Sequence, residues 1–248
     1  MTLHRFHVPS AEPGMAELGE AARNHATRVL RLGVGDPLRV FDAGAEFEAR
    51  IARLEKGRVL IEVGDAIEAR PERAVPIHLV MSALKGDLTE LVIQKATELG
   101  VARLSPAVFE RTDTVARREP NDARLERWHR VAVSASEQSG RAVVPQVDTI
   151  APLNSVVVDL GAPRAEVLRI TAAEPSIGAS GSPQPAASSI RSIVVAVGPA
   201  GGLGPLDLEI LETARFVRES FALHTLRSET ACLAAVAILA DRFKNAAG

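Results

Sequence analysis

The chain has 248 residues, 46% hydrophobic and 24% charged, enough apolar material for one large core or two modest ones, with ordinary domain size favouring two. A formal net charge of -2 excludes a protein that coats nucleic acid by bulk electrostatics, so any such contact must be a local patch. A single cysteine, Cys232, excludes an intrachain disulfide and a multi-cysteine zinc site. The longest apolar run, Ala231 to Ala240, is too short to span a bilayer, and no early segment reads as a signal peptide, which points to the cytoplasm.

Residues 1–72 show short strands, Arg39 to Asp42, Phe47 to Leu54 and Arg58 to Val63, punctuated by glycines, and predict a small β-rich barrel. One helix interrupts them, Glu20 to Leu32, stopped by Gly33. Arg28 and Arg31 are spaced to share a face of that helix and, with Arg5 near the first strand, form a candidate phosphate-binding stripe. Ten Lys and Arg against eleven Asp and Glu over residues 1–70 keep any such patch local.

The domain boundary falls near Pro71 to Pro76, and over 73–248 strands alternate with helices, as a largely parallel sheet covered by helices requires. Strands are predicted at Ile77 to Leu84, Ser155 to Leu160, Glu166 to Thr171 and Ile193 to Val197. Helices are predicted at Leu88 to Leu99, capped by Gly100, and at Leu125 to Gln138, Leu206 to Arg215 and Glu229 to Arg242. Residues 174–189 are Ser, Pro, Ala and Gly without an apolar period and read as a flexible surface insertion.

Chemistry concentrates where the apolar run Ile193 to Val197 enters Gly198-Pro-Ala-Gly201-Gly202-Leu-Gly204. Missing side chains at a strand end let a ligand reach backbone groups; the plainer reading is a tight turn that needs positive φ. The dinucleotide fingerprint fails because Asp207 stands where its third glycine belongs, and no Lys-Ser or Lys-Thr follows to make a phosphate loop. A second block, Leu226-Arg227-Ser228-Glu229, opens the C-terminal helix. Ser228 suits an N-cap and Glu229 the positive helix end, whereas a cation at Arg227 is unfavourable there and calls for an anionic partner. Lys85, in the turn before a charged helix, is a candidate phosphate contact on a face that could equally be solvated. Arg141 follows the helix cap Gly140 and either meets RNA or complements the helix dipole. His4, His7, His78 and His129 lack metal-ligand spacing, and no metal is expected.

Together the blocks Arg5-Phe6, His25 to Leu32 with Gly35-Asp36, Lys85-Gly-Asp with Gln94 to Val101, Glu137-Gln-Ser-Gly-Arg with Pro145, Gly198-Pro-Ala-Gly-Gly and Leu226-Arg-Ser-Glu-Thr resemble, in order, the RsmE family of 16S ribosomal RNA uracil-N3 methyltransferases of the SPOUT superfamily. The resemblance implies an α/β chain with an N-terminal PUA-like β-barrel that holds RNA, a SPOUT domain with a C-terminal deep trefoil knot, and a homodimer acting on 16S rRNA or the small ribosomal subunit. It implies S-adenosyl-L-methionine as cofactor, lined by Thr171, Gly198, Pro199, Gly201, Gly202, Leu223 and Leu226. By the same likeness Arg227 would face the reacting uracil; for the N3 proton, Glu229 is a candidate base, with solvent or a substrate phosphate as the alternative. Ala200 stands where the family has Glu, and Ala222 and His224 where it has Gly and Arg. These departures keep open a rival from another class, a non-catalytic ribosomal RNA-binding assembly factor that retains the fold.

Overall fold

A computed structural model of the chain describes residues 3–116, 122–174 and 187–244. They fall into two compact units, 1–72 together with 133–144, and 73–132 together with 145–248.

In the first unit β1 (Arg5–His7), β2 (Gly14–Glu17), the short helix α1 (Glu20–Asn24), β3 (Pro37–Asp42), β4 (Ala45–Glu55) and β5 (Arg58–Ile67) follow one another. The strands make a five-stranded sheet in the order β1-β3-β4-β5-β2, parallel between β1 and β3 and antiparallel elsewhere. Alternation decides which face is buried: Phe47, Ala49 and Ile51 of β4 and Val59, Ile61 and Val63 of β5 enter one core with Phe6, Leu38 and Val40. The β3–β4 hairpin turns through Ala43 and Gly44, both at positive φ (48° and 92°), the twist-matched geometry of a two-residue connection.

The helix predicted over Glu20 to Leu32 is α-helical only to Asn24. Residues His25–Val29 wind as a wider π turn, with Leu30 N donating to His25 O at 3.0 Å, and Arg31 leaves at φ 55°. The Thr27 hydroxyl donates to the Arg23 carbonyl at 2.8 Å, a side-chain bond that competes with the regular backbone ladder. Arg28 and Arg31 are exposed but do not share a regular helical face, which corrects the stripe expected from their spacing.

The second unit contains β6 (Ile77–Ser82), α2 (Leu88–Glu98), β7 (Arg103–Val108), α3 (Asp122–Ser139, counted with the first unit from Val133 on), β8 (Gln146–Val147), β9 (Ala151–Pro152), α4 (Leu153–Asp159), β10 (Val167–Ala172), β11 (Ser192–Val197), α5 (Pro205–Thr213), β12 (Val217–Glu219) and α6 (Ser228–Arg242). Its sheet runs β12-β10-β11-β6-β7-β8, with β9 also on β7, and every pairing is parallel. Such strands are covered on both faces, so β11 buries Ile193 through Val197 without alternation.

Two expectations change here. The segment Ser155 to Leu160, predicted as a strand from its valine run, is helix α4: Leu153, Val156, Val157 and Leu160 are the apolar residues that pack, at helical spacing, while Val158 is left 79% exposed. β7 was hidden by Pro106, which argues against a central strand. Leu104 O accepts from Asp148 N at 2.9 Å, so the two-residue period turns the nitrogen of Pro106 to the same side, where pairing passes from β8 to β9 and no ladder bond is lost. The Ser/Pro-rich segment predicted at 174–189 lies almost wholly outside the described residues.

Near the amino ends of β6 and β7 a polar network is closed on itself. His78 Nε2 lies 2.7 Å from Ser105 Oγ, and the Ser105 hydroxyl also bonds to Asp148. Arg103 joins Asp148 and Asp159 at 2.8 and 2.9 Å. Burial lowers the His78 pKa to about 4, helped by the Arg103 charge. Burial opposes ionisation of Asp148, but hydrogen bonds from Ser105, Arg103 and Gln146 hold its carboxyl below the usual range. Serine, histidine and aspartate meet here without a nucleophile: Ser105 is 1% exposed and stands between the other two, so no carboxylate orients the imidazole as a base.

Candidate functional site

The opposite edge of the same sheet, at the carboxyl ends of its strands, is open. A cavity of about 220 Å³ is walled by residues 172–174 after β10, 197–203 after β11 and most of 218–228 between β12 and α6, with Arg111 from the loop after β7. Open parallel sheets bind ligands in this position, because the loops there diverge and present backbone groups.

The glycine turn is built for close approach. A Cβ on Gly198 would come within 2.7 Å of Leu203 Cδ2, so only glycine lets Leu203 pack under the turn. Gly202 sits at φ 75°, in the left-handed region, and its amide donates to Pro199 O at 2.9 Å. Asp207 fixes the following helix: its Oδ2 accepts from Gly204 N and its Oδ1 from Glu110 N, both at 2.9 Å, while Pro205 opens α5. Arg111 Nη1 donates to Gly201 O at 2.8 Å.

The facing wall is the segment that leads into α6. Arg227 is the N-cap residue, and its carbonyl accepts from Ala231 N at 2.8 Å. Ser228, expected as the cap, is instead the first helical residue. Its buried hydroxyl donates to Gly198 O at 2.7 Å and so ties the head of α6 to the glycine turn. The side chains of Arg227, exposed, and Glu229, half-buried, make no hydrogen bond or ion pair among the described residues. One turn further on, burial pushes the Cys232 thiol well above its usual pKa, assisted by the nearby Glu229 charge, so this cysteine stays an un-ionised core residue.

Of the residues expected at the cofactor, the cavity collects Gly198, Pro199, Gly201, Gly202 and Leu226. Two are corrected. Thr171 is buried inside the sheet, donating to Ala196 O at 3.3 Å. Leu223 is 89% exposed: Ala222 and His224 on either side line the cavity, and the chain bends at Leu223 and His224 with Leu223 outside the lining. Ala200 also lines the cavity, so all three departures from the family pattern face this space. Arg111, Glu174, Arg218 and Phe221 line it too and were not anticipated. For Glu174 a signal existed, since it follows a predicted parallel strand at its carboxyl end; Arg111 has none, because β7 was not recognised.

The residues expected at RNA divide. Arg5 is an internal strut: Nε and Nη2 meet the two oxygens of buried Glu46 at 2.9 and 3.0 Å, and the guanidinium also donates to the carbonyls of Ser136, Glu137 and Arg141. Arg141 is 8% exposed and pairs with Glu72 at 2.6 Å. Both guanidinium groups are thus spent inside the first unit, which corrects their placement at RNA. Lys85 is exposed and paired with Asp113 at 2.8 Å. Arg28 and Arg31 are exposed, with no ion pair among the described residues.

A parallel sheet with a glycine-walled cavity at its strand ends follows a small mixed sheet, and two family models assign the two parts to an RNA methyltransferase. The family model described as an RNA methyltransferase domain matches residues 71–240, and that of an RNA methyltransferase PUA domain matches residues 18–64. Ribosomal RNA small subunit methyltransferase E of Synechocystis is 30% identical over 225 residues, covering 89% of this chain and 71% of its own. The protein of the same name from Mycobacterium tuberculosis is 29% identical, covering 90% and 86%. The crystal structure of ribosomal RNA small subunit methyltransferase E from Neisseria gonorrhoeae, bound to S-adenosyl methionine, superposes with a TM-score of 0.84 at 27% identity over 98% of both chains. The chain belongs to the ribosomal RNA small subunit methyltransferase E family. No helix among the described residues is long and apolar enough to cross a membrane.

Proposed function

We propose that this protein transfers the methyl group of S-adenosyl-L-methionine to N3 of a uracil in 16S ribosomal RNA, in the assembled small subunit. The observation that carries the proposal is the cavity itself: a glycine turn at the end of β11 faces the residues that lead into Arg227 and Glu229. The lining fits the donor, because Gly202 adds no side chain beside Glu174 and Arg111, while Val197, Leu203, Phe221 and Leu226 give apolar surface for a nucleoside. Bound there, S-adenosylmethionine supplies an electrophilic methyl on a sulfonium.

The chain's own work is to align the base and manage its proton. Loss of the N3 proton spreads negative charge onto the uracil carbonyl oxygens. Arg227, exposed and without a side-chain partner among the described residues, is the cation that meets this charge, and Glu229 is the candidate proton acceptor. Ser228 holds the two at a fixed distance from the glycine turn through Gly198 O. In the same reading, residues 1–72 form a PUA-like barrel that grips RNA through Arg28 and Arg31, and Lys85 adds a phosphate contact. Residues 73–248 carry the transfer, with the stretch from β12 into α6 threading a trefoil knot around the donor. The protein acts as a cytoplasmic homodimer; exposed Leu88 and Leu91 of α2 and Ile238 of α6, on two helices that pack together, offer apolar surface for a second copy.

The test is transfer of labelled methyl to small ribosomal subunits that lack uracil-N3 methylation, with the product mapped by mass spectrometry. One N3-methyluridine is expected, formed about 100-fold more slowly by Arg227→Ala than by wild type. A folded, donor-binding wild type that transfers nothing, or methylates ribose, overturns the proposal.

A further inference from the structure

The cavity carries an opposite-charge pair that the reading above does not use. A Cβ built on Gly202 would lie 3.5 Å from Glu174 Oε1 and 3.8 Å from Arg111 Nη1. A carboxylate and a guanidinium thus come within 4 Å of one point on the glycine turn, and both line the cavity. The two groups do not form an ion pair with each other, and Glu174 makes no hydrogen bond or ion pair among the described residues. Arg111 uses one nitrogen on Gly201 O and keeps further donors of its fixed fork. A carboxylate held beside a guanidinium without neutralising it is the complement of a ligand that bears both charges on one carbon.

We infer that Glu174 and Arg111 form the subsite for the amino-acid end of the methyl donor, Glu174 accepting hydrogen bonds from its α-ammonium and Arg111 donating to its α-carboxylate. This rests on the reading of the cavity as the donor site. The other wall is consistent with it: the apolar side chains Leu203, Phe221 and Leu226 suit the nucleoside, so the zwitterion is left for the charged rim. The donor carries a second positive centre, the sulfonium. On this assignment Glu174 meets the ammonium and not the sulfonium.

Isothermal titration of the full-length protein with three probes separates the possibilities. S-adenosylmethionine has ammonium, carboxylate and sulfonium; S-adenosylhomocysteine lacks the methyl and with it the sulfonium charge; 5′-methylthioadenosine is an uncharged thioether that also lacks the amino-acid end. Glu174→Gln is expected to weaken the first two by roughly tenfold, the value of one charged hydrogen bond, and to leave methylthioadenosine binding unchanged. Glu174→Asp, which keeps the charge, should recover part of the loss. Weakening confined to S-adenosylmethionine would assign Glu174 to the sulfonium and overturn the inference. Equal weakening of all three would make Glu174 a support of the cavity wall and overturn it too, as would no change at all. If the wild type binds none of the three probes, the donor-site reading itself fails, an outcome distinct from each of these.

Discussion

The two ends of the parallel sheet use polar residues in opposite ways. Near the amino ends, His78, Ser105, Asp148, Arg103 and Asp159 satisfy one another, and burial keeps the imidazole neutral. At the carboxyl ends, Glu174, Arg227 and Glu229 surround or adjoin a cavity with no side-chain partner among the described residues. Charged groups converging on a strand-end cavity are where a ligand can supply the partner that the fold does not. The closed end also shows that a serine, a histidine and an aspartate in contact define no catalytic site when the serine is central and buried.

This contrast can be broken at either end. The largest effect belongs to Arg227→Ala, about 100-fold on methyl transfer with thermal stability within about 0.5 kcal/mol of wild type. A large stability loss in that variant would make Arg227 part of the closed class. Acid should act on the other end. His78 titrates near 4 in the folded protein and near 6.5 unfolded, so between these values the unfolded chain binds more protons. The stabilisation is complete above pH 6.5 and is lost as pH falls toward 4, on the order of 3 kcal/mol; the lowered Asp148 adds a further loss only below the ordinary aspartate range. Urea midpoints at pH 7 and 4.5 should show this loss, and it should shrink in His78→Gln.

Ser105→Ala comes next. It removes the bridge between His78 and Asp148 and should cost about 2 kcal/mol, while transfer measured at a temperature where the variant is folded stays at the wild-type rate. The smallest effect is Gly202→Ala, whose φ of 75° makes any side chain cost about 1 kcal/mol, with donor affinity falling because the new methyl lies beside Glu174. Unchanged affinity in that variant would remove this point of the turn from the site.

The sequence made the parallel core and the glycine turn legible, because strands buried on both faces read as unbroken apolar runs and a glycine cluster after one of them has few uses. Leu226-Arg-Ser-Glu was legible for the same reason, as a polar break before a long apolar helix. What escaped was set by long-range pairing. Pro106 concealed β7, and with it the loop that delivers Arg111. The valines at 156–158 favoured a strand until the packing of Leu153 and Leu160 supplied a helical period. Arg5 and Arg141 read as surface cations because nothing local announces Glu46 or Glu72 as their partners.

The carbonyls that receive Arg5 come from Ser136, Glu137 and Arg141, and the amide of His7 is met by the Glu137 carboxylate at 3.0 Å. During synthesis, the first seventy residues therefore emerge without the acceptors that complete their own unit, and these follow only after a strand, a helix and a second strand of the other unit have been made. A gene fragment ending at residue 72 encodes a sheet whose first strand lacks these acceptors, and any graft of the first unit onto another protein must carry residues 133–144 with it.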